Sequence, residues 1–273
     1  MIFETKYVMM TFNDKFRILY ILLLLSVPAS IIVAFEISWW YLIFSLVWFR
    51  FTNTIFTQIG LHRYFAHRNF KTGPWRHRFL AVGTVLAGSG SIIGWSSNHA
   101  HHHLHSDKPM DVHSPNDGWW HTAFLWAISS KEYFIKEKKI IVPRYLLKDK
   151  LIVWLHDNYF MIWVVGIVAL TLIDWKFALF GLMAPAGWNI LSGNVLANLS
   201  THINLFGSYK TFNTGDNSYN NKFIQILAFG EGLHNNHHHD SSKYNQAMTP
   251  GEFDPAGWIV KKFFETKSCV EQQ

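Results

Sequence analysis

Cysteine is almost missing from this chain: its 273 residues contain one, Cys269. That excludes an intrachain disulfide, a cysteine-rich zinc site and an iron–sulfur cluster held by this chain alone. Charge is scarce as well. Asp, Glu, Lys and Arg make up 15% of the residues, against roughly 25% in an average soluble domain, while 49% are apolar and 17% aromatic. Such a composition points to a bilayer. The charge that remains is biased, with 24 Lys and Arg against 18 Asp and Glu for a formal net charge of +6. A basic balance suits anionic lipid headgroups, a phosphate-bearing substrate or an acidic partner protein. Also lacking are a GxGxxG dinucleotide fingerprint, internal repeats, low-complexity tracts and Gly/Ser linkers. The chain reads as one domain, residues 1–273, whose expected partners are lipid and protein rather than nucleic acid.

The apolar runs set the architecture. The first, Phe16 to Phe35, follows Lys6, Lys15 and Arg17 and is long enough to cross a hydrocarbon core about 30 Å thick. A cleaved signal peptide is the competing reading, because Pro28-Ala29-Ser30 resembles a processing site; the apolar run continues through Ile31, Ile32 and Val33, which favours a span. The second run opens at Trp39 and Trp40 and meets Arg50 before a mixed stretch ending in His62. It predicts one long helix whose later turns leave the lipid. Arg50 is read as structural ahead of substrate-contacting, since a buried ionisable group needs a partner for any purpose. Residues 79–95, apolar but rich in Gly and Ser, predict a helix that does not span. A third span is predicted from Leu151 to Ile173, interrupted near His156 and Asp157, and a fourth from Trp175 to about Val195, with only Asp174 between them. The turns after the first and third spans carry one basic residue, Lys176, whereas the N-terminus, residues 131–150 and the C-terminal tail hold most Lys and Arg. By the positive-inside rule, four spans place both termini and every histidine cluster on the cytoplasmic side. The expectation is a multi-pass integral membrane protein, in the inner membrane if the source is a bacterium.

Histidine is the surplus. Sixteen occur, most of them in short clusters. The first pair, His62 and His67, stands five apart where the second span should emerge, and is weak alone. In the second cluster His99, His102 and His103 follow i, i+3, i+4 spacing and so share one helical face. His234, His237 and His238 repeat that HxxHH geometry. Isolated His77, His121 and His156 are read as satisfied core or solvated residues. Three clusters together resist that reading: buried imidazoles without partners each pay desolvation, whereas metal ions satisfy them together and hold them neutral. Imidazole suits zinc, copper, nickel and iron, and the number of donors exceeds what one tetrahedral ion needs. Two ions are the natural count. Soluble di-iron bundles use Glu with Glu-x-x-His pairs on facing helices; here Glu231 precedes the third cluster and no such pair occurs.

From about Ile59 onward the motifs fall in a telling order: GLHRYFAHRNF from Gly60, WSSNHAHHHLHSD from Trp95, then DVHSP and GWW, NLSTHINLFGS, TFNTGDNSYNN, and GEGLHNNHHH with EFDPAGW near the end. In order and spacing they resemble the stearoyl-CoA desaturase family of acyl-CoA and acyl-lipid Δ9 desaturases, especially its shorter bacterial members. The resemblance implies an all-α fold in which four transmembrane helices carry a cytosolic helical cap, with a histidine-rich site for two irons at the junction. It implies O₂ as co-substrate and a long-chain acyl substrate carried on CoA or a lipid. Carried over by motif, one iron would take His62, His67, His99, His103 and His238, with Asn198 reaching it through water. The other would take His102, His202, His234 and His237. Asn198 and His202, four apart at the end of the fourth span, are expected on one helix face.

Some positions depart from the family pattern. Ala100 stands where Arg is usual, His101, His105 and His239 are extra, and Ser89 and Asn194 replace the common Gln and Thr near the bend of the acyl tunnel, where Trp95 is kept. No role is assigned to His113. An electron donor must dock from outside, ferredoxin or cytochrome b5 being the candidates, both acidic and suited to a basic face. The run Lys136, Lys138, Lys139, Arg144, Lys148 and Lys150 is read as a reductant or CoA-phosphate site, or as a solvated face near anionic lipid. Two rivals remain: a membrane lipid or alkane hydroxylase built on a similar centre, and a histidine-rich metal transporter, which would need ligands at mid-span.

Overall fold

A computed structural model of the chain describes residues 14–129 and 142–266. Lys136, Lys138, Lys139 and Cys269 lie outside the described residues. Within them the architecture is helical, and strand is confined to one short antiparallel ladder, β1 (Ser208–Tyr209) on β2 (Asn220–Asn221). Helix α1 spans Asp14–Ile37 and accommodates Pro28. Ser38 then starts α2, Trp39–Thr52, its hydroxyl accepting from the Trp40 amide. This helix runs on as a π-helix, Asn53–Ala66, so the long helix expected to deliver His62 forms. Arg50 is tied structurally: Nη2 donates to the Leu227 carbonyl at 2.6 Å, and the guanidinium lies 5.0 Å over the Phe49 ring.

The helix predicted across residues 79–95 is two helices instead, α3 (Pro74–Leu86) and α4 (Ile92–His105). Gly88 and Gly90 separate them at φ of 80° and 107°, where residues bearing a Cβ are strained. At Gly88 a Cβ would also stand 2.6 Å from the Cβ of Ala186. Ser91 restarts the helix, its Oγ accepting from the Gly94 amide at 3.2 Å, and α4 packs beside the π-helix that carries His62.

Helices α5 (Lys150–Asp157) and α6 (Tyr159–Lys176) part at Asn158, next to the expected interruption. At Asp174 the backbone is extended (φ −161°, ψ 123°) and its Oδ1 accepts from the Lys176 amide at 3.0 Å. The chain doubles back there: a Cβ on Gly166 would touch the Leu182 side chain at 3.4 Å. The return limb comprises a π-helix (Phe177–Met183), α7 (Ala184–Leu191) and a second π-helix (Ser192–Leu199). Helix α7 packs on α1 and α2, so closely that a Cβ at Gly187 would collide with the Leu23 carbonyl.

By length and composition two stretches could cross a membrane, Lys15–Ile37 and Tyr159–Leu199, the second containing the Asp174 break. Their packing has the polarity expected of a lipid solvent. Leu23, Ile59, Leu61, Leu80 and Trp163 form a buried core between helices, while Phe35, Trp40, Val47, Leu172 and Ile173 face outward and are exposed. In water an outward apolar surface of that extent would be a liability. Beyond the second π-helix come the short helices α8 (Lys222–Ala228), α9 (His234–His239) and α10 (Pro255–Ile259).

Candidate metal centre

The spacing of the first pair follows from the π-helix. Five residues in an α-helix turn through about 500°, which would set His62 and His67 on different faces. The i to i+5 bond of a π-turn stacks them instead: the His67 amide donates to the His62 carbonyl at 3.0 Å, and the rings lie 4.9 Å apart. Helix α4 supplies His99, His102 and His103, and α9 supplies His234, His237 and His238. His202 is not on a helix face with Asn198, as its spacing suggested. The π-helix ends at Leu199 and His202 follows in a turn, its amide donating to the Leu199 carbonyl.

These imidazoles converge into two neighbouring groups. In the first, one ring nitrogen from each of His62, His67, His99, His103 and His237 lies within 4.8 Å of all the others; in the second the same holds for His102, His202, His234 and His238. The groups adjoin, the His103 and His238 rings being 4.6 Å apart. Membership differs from the family carry-over by one exchange, His237 standing with the first group and His238 with the second. Helical geometry gives the reason. Residues i and i+4 sit about 40° apart around a helix, whereas i+3 falls about 60° to the other side. Each HxxHH helix therefore gives its i, i+4 pair to one group and its i+3 member to the other, and the two helices do so in opposite senses.

The electrostatics suit a cation. Burial pushes the His67, His99, His103, His234 and His237 imidazoles well below the ordinary histidine value, and neighbouring imidazoles add to the shift. These rings are held neutral, with lone pairs available. Three members of the second group rest on carboxylates: His102 Nδ1 on Asp111 at 2.9 Å, His202 Nδ1 on Asp107 at 2.9 Å and His238 Nδ1 on Asp216 at 2.6 Å. A carboxylate fixes the proton on Nδ1 and leaves Nε2 bare. The consequence is visible at His238, whose Nε2 is buried without a partner. His238 is lowered to about 4, burial outweighing its bond to Asp216. Burial opposes ionisation of Asp107, Asp111 and Asp216, yet the facing imidazoles hold all three below the usual carboxylate range.

In the first group the carboxylate found among the described residues is Glu231, 3.0 Å from His62 Nδ1. Glu231 also receives Arg63 at 2.8 Å. Arg63, fully buried, spends its remaining donors on Asp254 and on the carbonyls of Tyr244, Gln58 and Gly230. One buried cation thus ties the first pair of histidines to the segment before α9 and to the α10 cap. Of these supporting residues only Glu231 was noted from the sequence, although Asp107, Asp111, Asp216 and Asp254 all sit inside the motifs quoted above. An acid recurring beside each histidine cluster was the available signal.

Most of the other histidines have ordinary partners, while His113 stands with His102 and Asp111 in a third group of donors within 4.8 Å of one another. His77 bonds Asp149 and the Tyr64 hydroxyl, His121 the Val112 carbonyl, His156 the Ser91 hydroxyl and His101 the Met110 carbonyl. His239 stacks on Phe212, centroids 3.8 Å apart. His113 packs on His102 with rings 4.3 Å apart and faces Asp111 at 3.9 Å. Burial, then the neighbouring His102, pushes it down to about 3.

A cavity partly open to solvent reaches both groups, touching His62 and His99 of the first and His234 of the second. Ser89, Trp95, Asn194 and Asn198 line it too. Asn194 is held by three bonds, Nδ2 donating to the Tyr20 hydroxyl and the Ala123 carbonyl while Oδ1 accepts from Trp126. Also lining the cavity, Asn189 gathers Asn53, Thr57 and Ser89 into a second polar knot.

Helices with outward apolar faces, nine converging imidazoles and a cavity running to them define a histidine-rich protein with two groups that could hold metal ions and two stretches that could cross a membrane. The chain belongs to the fatty acid desaturase family, whose model matches residues 37–245. It is 33% identical over 205 residues to an sn-1 stearoyl-lipid 9-desaturase of Anabaena variabilis, covering 74% of this chain and 72% of that one. It is 28% identical over 239 residues to Delta-9 acyl-lipid desaturase 2 of Arabidopsis thaliana, covering 82% and 73%. A hex-5-enoyl-[acyl-carrier protein] acetylenase of Moorena producens is 31% identical over 236 residues, covering 76% and 70%.

Proposed function

We propose that this chain is an O₂-dependent desaturase of long-chain acyl groups, acting on Δ9 of a lipid- or CoA-borne substrate. The observation that carries the reading is that one cavity reaches two adjoining all-imidazole groups. The donor set fits iron: buried imidazole nitrogens converging on one another, no thiolate and backing carboxylates. His62, His67, His99, His103 and His237 would hold one ion, and His102, His202, His234 and His238 the other, with Asn198 at the rim of the same cavity. Bound iron would supply the O₂ activation that breaks two C–H bonds on adjacent methylenes. In balance, two electrons come from those bonds, two electrons and two protons come from outside, and O₂ leaves as two waters.

The chain's own work is placement. Trp95, Trp126, Asn189 and Asn194 shape the cavity wall, so an acyl chain threading the cavity would present fixed methylenes to the nitrogen groups. Two of the relatives carry Δ9 lipid desaturase names, which supports that position and a lipid carrier. The reading takes α1, α2, α6 and the limb from Trp175 to Leu199 as four spans, in a single domain with both termini on the cytoplasmic side. It takes an external ferredoxin or cytochrome b5 as reductant, for which Arg144, Lys148 and Lys150 offer a described part of the basic face. Expression in a host auxotrophic for unsaturated fatty acids, with mass-spectrometric location of the double bond, tests it. A monoene is expected; an alcohol would identify the hydroxylase instead, and no product would refute both.

A further inference from the structure

Two exposed segments flank the π-helix Ser192–Leu199, which contributes Gly193, Asn194, Ala197 and Asn198 to the cavity wall. On one side the stacked pair Trp119 and Trp120, centroids 4.2 Å apart, leads into the turn His121–Leu125 that packs on this π-helix. On the other, α8 packs on it too, and Phe206 stacks on Phe223 of α8 at 5.8 Å. Both segments also carry large apolar side chains on their outer faces. In α8 the inward residues are Ile224, Gln225 and Ala228, and Gln225 is pinned to the Phe253 carbonyl and the Gly232 amide. The outward residues are Phe223, Ile226 and Leu227, with Ile226 74% and Phe206 88% exposed. In the other segment Thr122 is buried and bonded to the Ser114 carbonyl, while both tryptophans are more than half exposed. Such surfaces in water are costly and seek an apolar partner.

The position of α8 beside α2 selects the partner. Arg50 on α2 donates to the Leu227 carbonyl, so α8 is fastened at the level where the exposed Val47, Trp48 and Phe51 of α2 lie. The apolar face of α8 therefore continues the outer face of α2. Trp is the residue favoured at a membrane–water interface.

We infer that these two segments are lips resting in the headgroup layer of the bilayer, and that the acyl group reaches the cavity between them from a membrane-resident glycerolipid. The second half rests on the desaturase reading; the first does not. The test uses the full chain in nanodiscs of palmitoyl-oleoyl phosphatidylglycerol, with Cys269→Ser as background and single nitroxide labels at I226C, W120C and, as an aqueous reference, K243C. Collision with O₂, which partitions into lipid, is compared with collision with chromium oxalate, which stays in water. At Ile226 and Trp120 the O₂ effect is expected to exceed the oxalate effect, with the reverse at Lys243. Dominant oxalate contact at both lips would overturn the proposal, and so would shielding from both reagents, the mark of a protein partner. The double variant Ile226→Asp with Trp120→Asp is then expected to turn over lipid-borne stearoyl about tenfold more slowly, through weaker interfacial seating, with iron content unchanged. Unaltered turnover overturns the route. If wild type makes no unsaturated product while the labels report lipid, the lips stand and the desaturase reading falls.

Discussion

The two imidazole groups are built by different means. In the group of five, helix geometry does the placing: a π-turn stacks His62 on His67, an α-turn pairs His99 with His103, and the carboxylate found there among the described residues is Glu231. In the group of four, placing comes from behind the rings, where Asp107, Asp111 and Asp216 each hold an imidazole. Those acids lie on loops that brace one another, Asp107 Oδ2 also accepting from the Asn217 amide at 2.8 Å. The difference teaches that one centre depends on local helix periodicity and the other on long-range loop docking.

The largest effects should come from the rings themselves. His103→Ala takes a donor from the group of five and His234→Ala takes one from the group of four. Each is expected to abolish product and lower iron per chain while leaving membrane insertion intact, as metal analysis beside product chromatography would show. Full turnover by either variant would mean that the group it belongs to is not part of the reacting centre. Next come the acids. Asp216→Asn should leave the fold in place and reduce iron affinity or turnover about 10- to 100-fold, the usual cost of removing a carboxylate behind a ligating imidazole. Glu231→Gln should do that and also leave Arg63 without one of its two buried carboxylates, at a cost of about 3–5 kcal/mol. The comparison breaks if the two variants unfold at the same temperature.

Acid should separate the groups further. In the iron-free protein the group of five holds His67, His99, His103 and His237 well below the ordinary value, and the group of four holds His234 there too. In the unfolded chain each takes a proton near the ordinary value of about 6.5. Below that pH the unfolded state binds more protons than the folded one, so stability is full above about pH 6.5 and falls as the medium becomes more acidic. The lowered Asp107, Asp111 and Asp216 act with the same sign in a more acidic window, below the ordinary carboxylate value of about 4. Thermal unfolding of iron-free protein between pH 8 and pH 5 should show a plateau and then a decline. A flat profile would contradict the burial of the rings.

Much of this arrangement was legible because it is periodic or compositional. Apolar runs marked α1, α2, α6 and its return limb, and the recurrence of HxxHH marked six imidazoles, beside which His62 and His67 were a weaker pair and His202 came only through the family resemblance. What escaped depends on contacts remote in sequence or on an angle within a turn. Glu231 lies 168 positions from Arg63, and no local pattern announces that pairing. The split of residues 79–95 hung on Gly88 needing a positive φ against Ala186, a tertiary approach. The exchange of His237 and His238 was recoverable in principle, since it follows from 100° per residue; treating i, i+3 and i+4 as one face hid it.

The smallest effects should fall on histidines that belong to neither group. His239 stands next to His238 in sequence, yet its ring is stacked on Phe212 rather than turned toward the nitrogens. His105 tilts against His101 on α4, whose Nε2 already meets the Met110 carbonyl. If proximity in sequence made a ligand, His239→Ala and His105→Ala would each lower the iron content. If direction around the helix decides, iron and turnover stay at wild-type levels, and His239→Ala loses only the stacking contact, about 0.5–1.5 kcal/mol. Metal analysis of the two variants distinguishes these accounts, because a histidine run is a set of directions and only those pointing between α4, α9 and the π-helix carrying His62 can share an ion.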